Sequence, residues 1–238
     1  MKKPQLFLLH FAGGNYYSFQ SIVPLLRDFE VIPLELPGRG KRISEPLLKD
    51  YALAAQDFYD QIINKLTTAS FLIYGHSMGA YLGLTVANML EKIGRPPAYL
   101  FVSGNPGPGI TDSKNRYLLE YDEFVNELRE MGGVPEEIIE NKDLFDFFEP
   151  ILRADFEIVE KYPLSTTHVT SAPLYAMMGS RENKVEEITN WGRFTRGSFN
   201  HEVLEGDHFF IFKHPNKIAH IIRYNYEQAI VSYRQHIK

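Results

Sequence analysis

Cysteine is absent from the 238-residue chain, which excludes a disulfide framework, a thiolate metal site and a thiol nucleophile. Any nucleophile must be an oxygen or a nitrogen. No apolar run approaches the roughly 20 residues that a membrane span needs. The stretch Leu6-Phe7-Leu8-Leu9, bracketed by Pro4 and His10, is too short for the apolar region of a secretory leader. A soluble cytoplasmic protein with no membrane partner is the expectation. Positive charge is not in excess either: the formal net charge is -5 and the pI near 5.9, so nothing overall draws the chain to nucleic acid. Internal repeats, low-complexity tracts and heptads are missing, which leaves a monomer as the default. What remains is ordinary globular composition, 44% hydrophobic and 23% charged, over a length that suits one α/β domain spanning residues 1–238.

Short apolar runs rich in Leu, Ile, Val and aromatics recur at 5–10, 29–36, 70–75, 98–103, 172–178 and 199–204, and read as buried strands. Helical patterns fall between most of them, at about 18–28, 50–66, 78–93 and 184–196, with a last one at 215–235. Alternation of this kind predicts a mainly parallel sheet with helices on both faces. It breaks only at about 110–165, which reads as a helical insertion. Residues 111–165 hold 15 Asp and Glu against 6 Lys and Arg, a net of -9 that leaves +4 for the rest of the chain. A solvated helical face is the plain reading of such a run, but Phe145, Phe147, Phe148, Ile151 and Leu152 interleave with the charges. These helices must bury something, and a lid over the active edge of the sheet would do so.

Gly75-His76-Ser77-Met78-Gly79 joins the strand Phe71-Leu72-Ile73-Tyr74 directly to the helical stretch beginning at Ala80. That is the strand, sharp turn and helix of a nucleophile elbow, a pattern expected by chance only about 0.06 times in a chain of this composition. Ser77 is the candidate nucleophile. A serine hydroxyl needs a base within hydrogen-bond reach and an acid to orient that base. His208, in Gly206-Asp207-His208-Phe209-Phe210 between the last strand and the last helix, is the candidate base; the side chain of His76 is expected to point away from the serine. The acid belongs on the loop after the preceding strand, where Gly179-Ser180-Arg181-Glu182 offers Glu182, with Asp155 and Asp207 as fallbacks. Two backbone N–H groups should receive the oxyanion: Met78, next to the nucleophile, and Ala12, in Phe11-Ala12-Gly13-Gly14 after the first strand. Neither a metal nor a bound cofactor is required.

Taken together, these residues resemble the type II thioesterases of nonribosomal peptide and polyketide assembly lines, within the α/β-hydrolase superfamily. Further motifs carry the likeness: Leu36-Pro37-Gly38-Arg39-Gly40 with Arg42 and Glu45-Pro46, and, in the insertion, Met131-Gly132-Gly133-Val134-Pro135 with Asn141 and Leu152-Arg153-Ala154-Asp155-Phe156. The resemblance implies an α/β-hydrolase fold with a helical lid, and hydrolysis of mispriming or stalled acyl chains from the phosphopantetheine arm of acyl or peptidyl carrier proteins. Two departures stand out. Glu182 occupies a place where that family usually has aspartate, and Ala80 follows the elbow where many relatives have a third glycine. Carrier proteins are commonly acidic, which makes Arg181, Arg193 and Arg196 candidates for docking, whereas Arg39 and Arg42 could equally brace the loop after the second strand. The alternatives are a medium-chain acyl carrier protein thioesterase of fatty-acid synthesis, a general carboxylesterase, and, outside enzymes, an inactive hydrolase-fold binding module.

Overall fold

The computed structural model describes residues 2–110, 114–161 and 166–236. Six strands, β1 (Gln5–Leu9), β2 (Glu30–Pro33), β3 (Phe71–His76), β4 (Tyr99–Ser103), β5 (Leu174–Gly179) and β6 (Phe199–Leu204), form one sheet in the order β2-β1-β3-β4-β5-β6, and every pairing is parallel. The central strands are buried on both faces, which is why they read as continuous apolar runs. Alternate residues nevertheless serve different layers. Phe7, Leu9, Ile73, Leu100 and Val102 pack under α1 (Tyr51–Lys65) and α2 (Met78–Lys92), while Leu6, Leu8, Leu72, Tyr74 and Phe101 pack on the opposite side with Ile218, Ala219 and Ile222 of α6 (Pro215–His236).

After leaving β1 the chain builds β2 on one side, then returns to lay β3 on the other. A crevice therefore opens outside the carboxyl ends of β1 and β3, the place where open parallel sheets hold their ligands. Over this edge lies the helical insertion, with α3 (Tyr121–Met131), α4 (Glu136–Glu140) and α5 (Lys142–Glu160). Its apolar residues form their own cluster, Phe124, Leu128, Ile139, Phe145, Leu152 and Phe156, against which Ala12 of the body packs. The outer limits expected for the insertion touch residues 111–113 and 162–165, which lie outside the described residues.

Two expected helices are corrected. Residues 18–28 have apolar side chains at helical spacing, Phe19, Ile22, Val23 and Leu26, yet form turns with one short 3₁₀ segment, Val23–Leu25. Pro24 removes a backbone donor and crowds the preceding turn, and the stretch is too short to absorb that loss. Residues 185–194 coil as successive 3₁₀ turns rather than as an α-helix. There the Trp191 indole N–H donates to Asn105 O at 2.9 Å and the ring is fully buried, so tertiary anchoring overrides local preference.

Candidate active site

Ser77 stands between β3 and α2 at φ 55° and ψ -115°, a conformation a side-chain-bearing residue adopts only under constraint. The constraint comes from close packing at the elbow. A Cβ on Gly75 would sit 2.0 Å from Gly79 O, and one on Gly79 would sit 2.1 Å from Leu9 O, so both neighbouring positions exclude side chains. Ser77 N–H donates to Ser103 O at 2.7 Å, and the Asn105 amide donates to Ser77 O at 2.9 Å. The hydroxyl of Ser77, its backbone fixed in this way, opens into the crevice.

It points at His208, whose Nε2 lies 3.0 Å from Ser77 Oγ. On the far side of the ring, Nδ1 lies 2.8 Å from Glu182 Oε2. A carboxylate at Nδ1 holds the ring proton there and leaves the Nε2 lone pair for the serine hydroxyl. Glu182 is itself anchored, since its Oε1 accepts Gly179 N–H at 2.7 Å, so the extra methylene is taken up by folding the side chain back over its own turn. Its side chain is 6% exposed and that of His208 19%, which places the pair at the wall of the crevice with the imidazole reachable from it. Phe209 packs edge-on against His208 with ring centroids 5.1 Å apart.

The other candidates divide. Asp207 caps its own turn by accepting Phe209 N–H and pairs with Lys213 at 3.3 Å, away from the His208 ring nitrogens. Asp155 is fully buried against Arg39, in a two-pronged pair at 2.5 and 2.8 Å, and accepts Gly13 N–H at 2.7 Å. Arg39 thus braces the loop after β2, as does Arg42 through Glu45, Asp57 and Glu35 O. Sequence reasoning gave Asp155 no such use, because its partners lie 116 and 142 residues away. His76 does not reach Ser77. Its ring lies 5.0 Å from that of His208, with Nδ1 2.8 Å from Ser103 Oγ, and burial followed by the neighbouring His208 pushes its pKa well below the ordinary value.

A cavity of about 1110 Å³ opens above this arrangement. Ser77, Met78, Ala12, His208 and Glu182 line its floor, while the insertion covers it with apolar side chains, among them Leu128, Met131, Phe148, Leu152 and Phe156, and with charged ones such as Arg116, Glu127 and Glu130. A reacting carbonyl at Ser77 would sit beneath the insertion and beside two backbone segments able to supply N–H donors. Of the three arginines considered for docking, only Arg181 lines this cavity; it is half-exposed and 3.5 Å from Asp207. Arg193 donates to Asn190 and Arg196 pairs with Glu91. Among the described residues no cluster of His, Asp and Glu could hold a metal ion, and no helix is long and apolar enough to cross a membrane.

The family model described as thioesterase domain matches residues 4–226. The chain is 31% identical to the gramicidin S biosynthesis protein GrsT of Aneurinibacillus migulanus, over 89% of this chain and 84% of that one. It is 30% identical to the medium-chain S-acyl fatty acid synthase thioesterase of Rattus norvegicus, over 90% and 83%. Among solved structures, the type II thioesterase YbtT from the yersiniabactin NRPS/PKS pathway superposes with a TM-score of 0.87 at 25% identity, covering 96% of this chain and 94% of that one.

Proposed function

The chain belongs to the thioesterase domain family, and from that premise we propose that it is a serine thioesterase editing the acyl chains carried by nonribosomal peptide or polyketide carrier proteins. The observation that carries this reading is the unbroken relay Glu182, His208, Ser77 on the floor of a cavity covered by the insertion. In the first step Ser77 Oγ attacks the thioester carbonyl as His208 Nε2 takes its proton. The oxyanion rests on the Met78 and Ala12 amides. Collapse expels the phosphopantetheine thiol, which leaves with the proton held by His208, and Ser77 stays acylated. A water then attacks the ester while His208 again serves first as base and then as acid, releasing the free acid. Glu182 fixes the imidazole orientation and stabilises its cation throughout. Of the three candidate arginines, Arg181, which lines the cavity, is the one placed to meet an acidic carrier.

A loaded carrier protein, followed by intact-protein mass spectrometry with wild type beside Ser77→Ala, tests the reading. Loss of acyl groups with wild type alone is the expected result. Equal loss with both proteins, or loss with neither while simple oxyesters are still cleaved, would overturn it. The cavity volume favours one second reading, because about 1110 Å³ holds far more than an acetyl group. Under that reading the enzyme releases medium-length acyl chains, and a chain-length series on one carrier separates the two: a broad or short-chain profile fits editing, a sharp medium-chain optimum fits chain release.

A further inference from the structure

The Ala12 N–H donates in the reading above, yet Ala12 sits on a glycine-rich loop whose neighbour Gly13 is at φ +74°, a backbone free to take several shapes. An oxyanion donor contributes only if it is already aimed before the reaction. Among the buried side chains outside the relay, His10 and Asp155 bond directly to the peptides on either side of Ala12.

The first is His10, fully buried at the end of β1. Leu36 N–H donates to its Nε2 at 3.3 Å, which makes that nitrogen the acceptor and leaves Nδ1–H to donate to Phe11 O at 2.8 Å. Gly14 N–H donates to the same carbonyl at 2.9 Å. Phe11 O and Ala12 N–H belong to one trans peptide and point in opposite directions. Two bonds on the carbonyl therefore set the direction of the N–H. Burial, followed by the charge of Arg39, pushes the His10 pKa down to about 4, in keeping with the neutral ring that this pattern of bonds requires.

The second is Asp155 of α5, which accepts Gly13 N–H from the next peptide along. Its charge is matched by Arg39, 2% exposed, whose guanidinium also reaches Gly14 O at 3.4 Å. Buried ion pairs seldom add net stability over apolar groups of the same volume, and their attested use is to specify one geometry among several. Here the pair ties together the loop after β2, the loop after β1 and the insertion. We propose that His10 and Asp155 are positioning residues that aim the Ala12 N–H at the oxyanion, His10 gripping the peptide that precedes Ala12 and Asp155 the peptide that follows it, so that the site is complete only with α5 seated.

This rests on the serine reading, and the test keeps the two apart. A trifluoromethyl ketone analogue of a short acyl thioester takes Ser77 Oγ at its carbonyl carbon; the carbonyl electron pair becomes an oxyanion and the serine proton passes to His208. Its adduct is seen by fluorine NMR and its affinity follows oxyanion stabilisation. Two double variants remove the ion pair without leaving a lone charge. Arg39→Met with Asp155→Leu loses the Gly13 acceptor and should lose about tenfold to a hundredfold in both kcat and ketone affinity, with KM on a short thioester unchanged. Arg39→Met with Asp155→Asn keeps an acceptor and should recover most of both. His10→Phe should behave like the first, and His10→Asn, whose amide can donate to Phe11 O, like the second. Equal behaviour of the Leu and Asn versions, or normal ketone affinity in all variants, would overturn the proposal while leaving the serine reading intact. Absence of a ketone adduct on wild type would overturn both.

Discussion

Two carboxylates in this chain each hold a basic side chain at short range, and they differ in what surrounds them. Glu182 faces His208 at 2.8 Å on the wall of an open cavity, and the far side of that imidazole reaches Ser77. Asp155 faces Arg39 in a sealed space between the insertion and the sheet, with side-chain exposures of 0% and 3%. An imidazole can take up a proton and give it back, whereas a guanidinium stays protonated in proteins. Proximity of opposite charges therefore says little about role. Reachability and the proton chemistry of the partner decide whether such a pair performs a reaction or fixes a shape.

The sharpest way to break this contrast is to neutralise each carboxylate without changing its size. Glu182→Gln should lower kcat by roughly 10⁴, because an amide no longer stabilises the imidazolium and favours the wrong tautomer of His208. Asp155→Asn, which still accepts Gly13 N–H, should cost far less activity and show its loss in stability. Steady-state kinetics on a soluble acyl thioester, with denaturant unfolding of the same samples, would decide the matter. Equal losses of kcat in the two variants would erase the distinction.

Next in size is the effect of removing one member of the sealed pair. Arg39→Met alone leaves the Asp155 carboxylate buried without its counter-charge and should destabilise the fold by about 3–5 kcal/mol. The double variant Arg39→Met with Asp155→Leu should recover most of that in urea unfolding. No recovery would mean that the site is held by shape rather than by charge.

Acid tests the sealed side of the comparison through its buried histidines. His10 is held neutral, with its pKa pushed down from the ordinary 6.5 to about 4. Between those values the unfolded chain binds more protons than the folded one. Stability from this group is thus fully present above about pH 6.5 and is lost as pH falls toward 4, amounting to roughly 3 kcal/mol at the limit. His76, whose pKa is lowered too, acts in the same direction. Unfolding free energies measured from pH 7 to 4 should therefore fall, and should fall less steeply in His10→Asn. A slope unchanged by that substitution would show that His10 carries no share of it.

Much of this was written plainly in the residue order. Strands announced themselves because a parallel sheet covered on both faces demands unbroken apolar runs, and the elbow did so because close approach admits only glycine at positions 75 and 79. Chain order made Glu182, on the turn that follows β5, the first choice of acid and left Asp155 and Asp207 as fallbacks. What stayed hidden depends on distant partners. Residues 18–28 carry a helical spacing of apolar groups that the sheet face would accept from turns as readily, and Asp155 looked like a spare acid until folding brought Arg39 and Gly13 to it across more than a hundred residues. Local pattern reveals which face an element buries, while pairings over such distances follow only from the topology.

The smallest expected effect concerns the length of the acid. Glu182 uses both oxygens, Oε1 on Gly179 N–H at 2.7 Å and Oε2 on His208 Nδ1 at 2.8 Å. Replacing it by the shorter acid, Glu182→Asp, draws the carboxylate back by about one C–C bond, roughly 1.5 Å. With the backbone unmoved it cannot satisfy both donors. Keeping the turn would leave His208 without its partner at bonding distance, while keeping His208 would release Gly179 and loosen the turn. Either compromise weakens rather than abolishes orientation of the imidazole, so kcat should drop by about tenfold to a hundredfold, well short of the loss in Glu182→Gln. The negative charge remains, so the pH profile of kcat should keep its shape. A drop as deep as that of the glutamine variant would mean that position, not charge, makes this carboxylate effective. An aspartate variant as fast as wild type would instead mean that the loop after β5 moves freely enough to accept either acid, and that the Gly179 bond is not what sets the reach of Glu182.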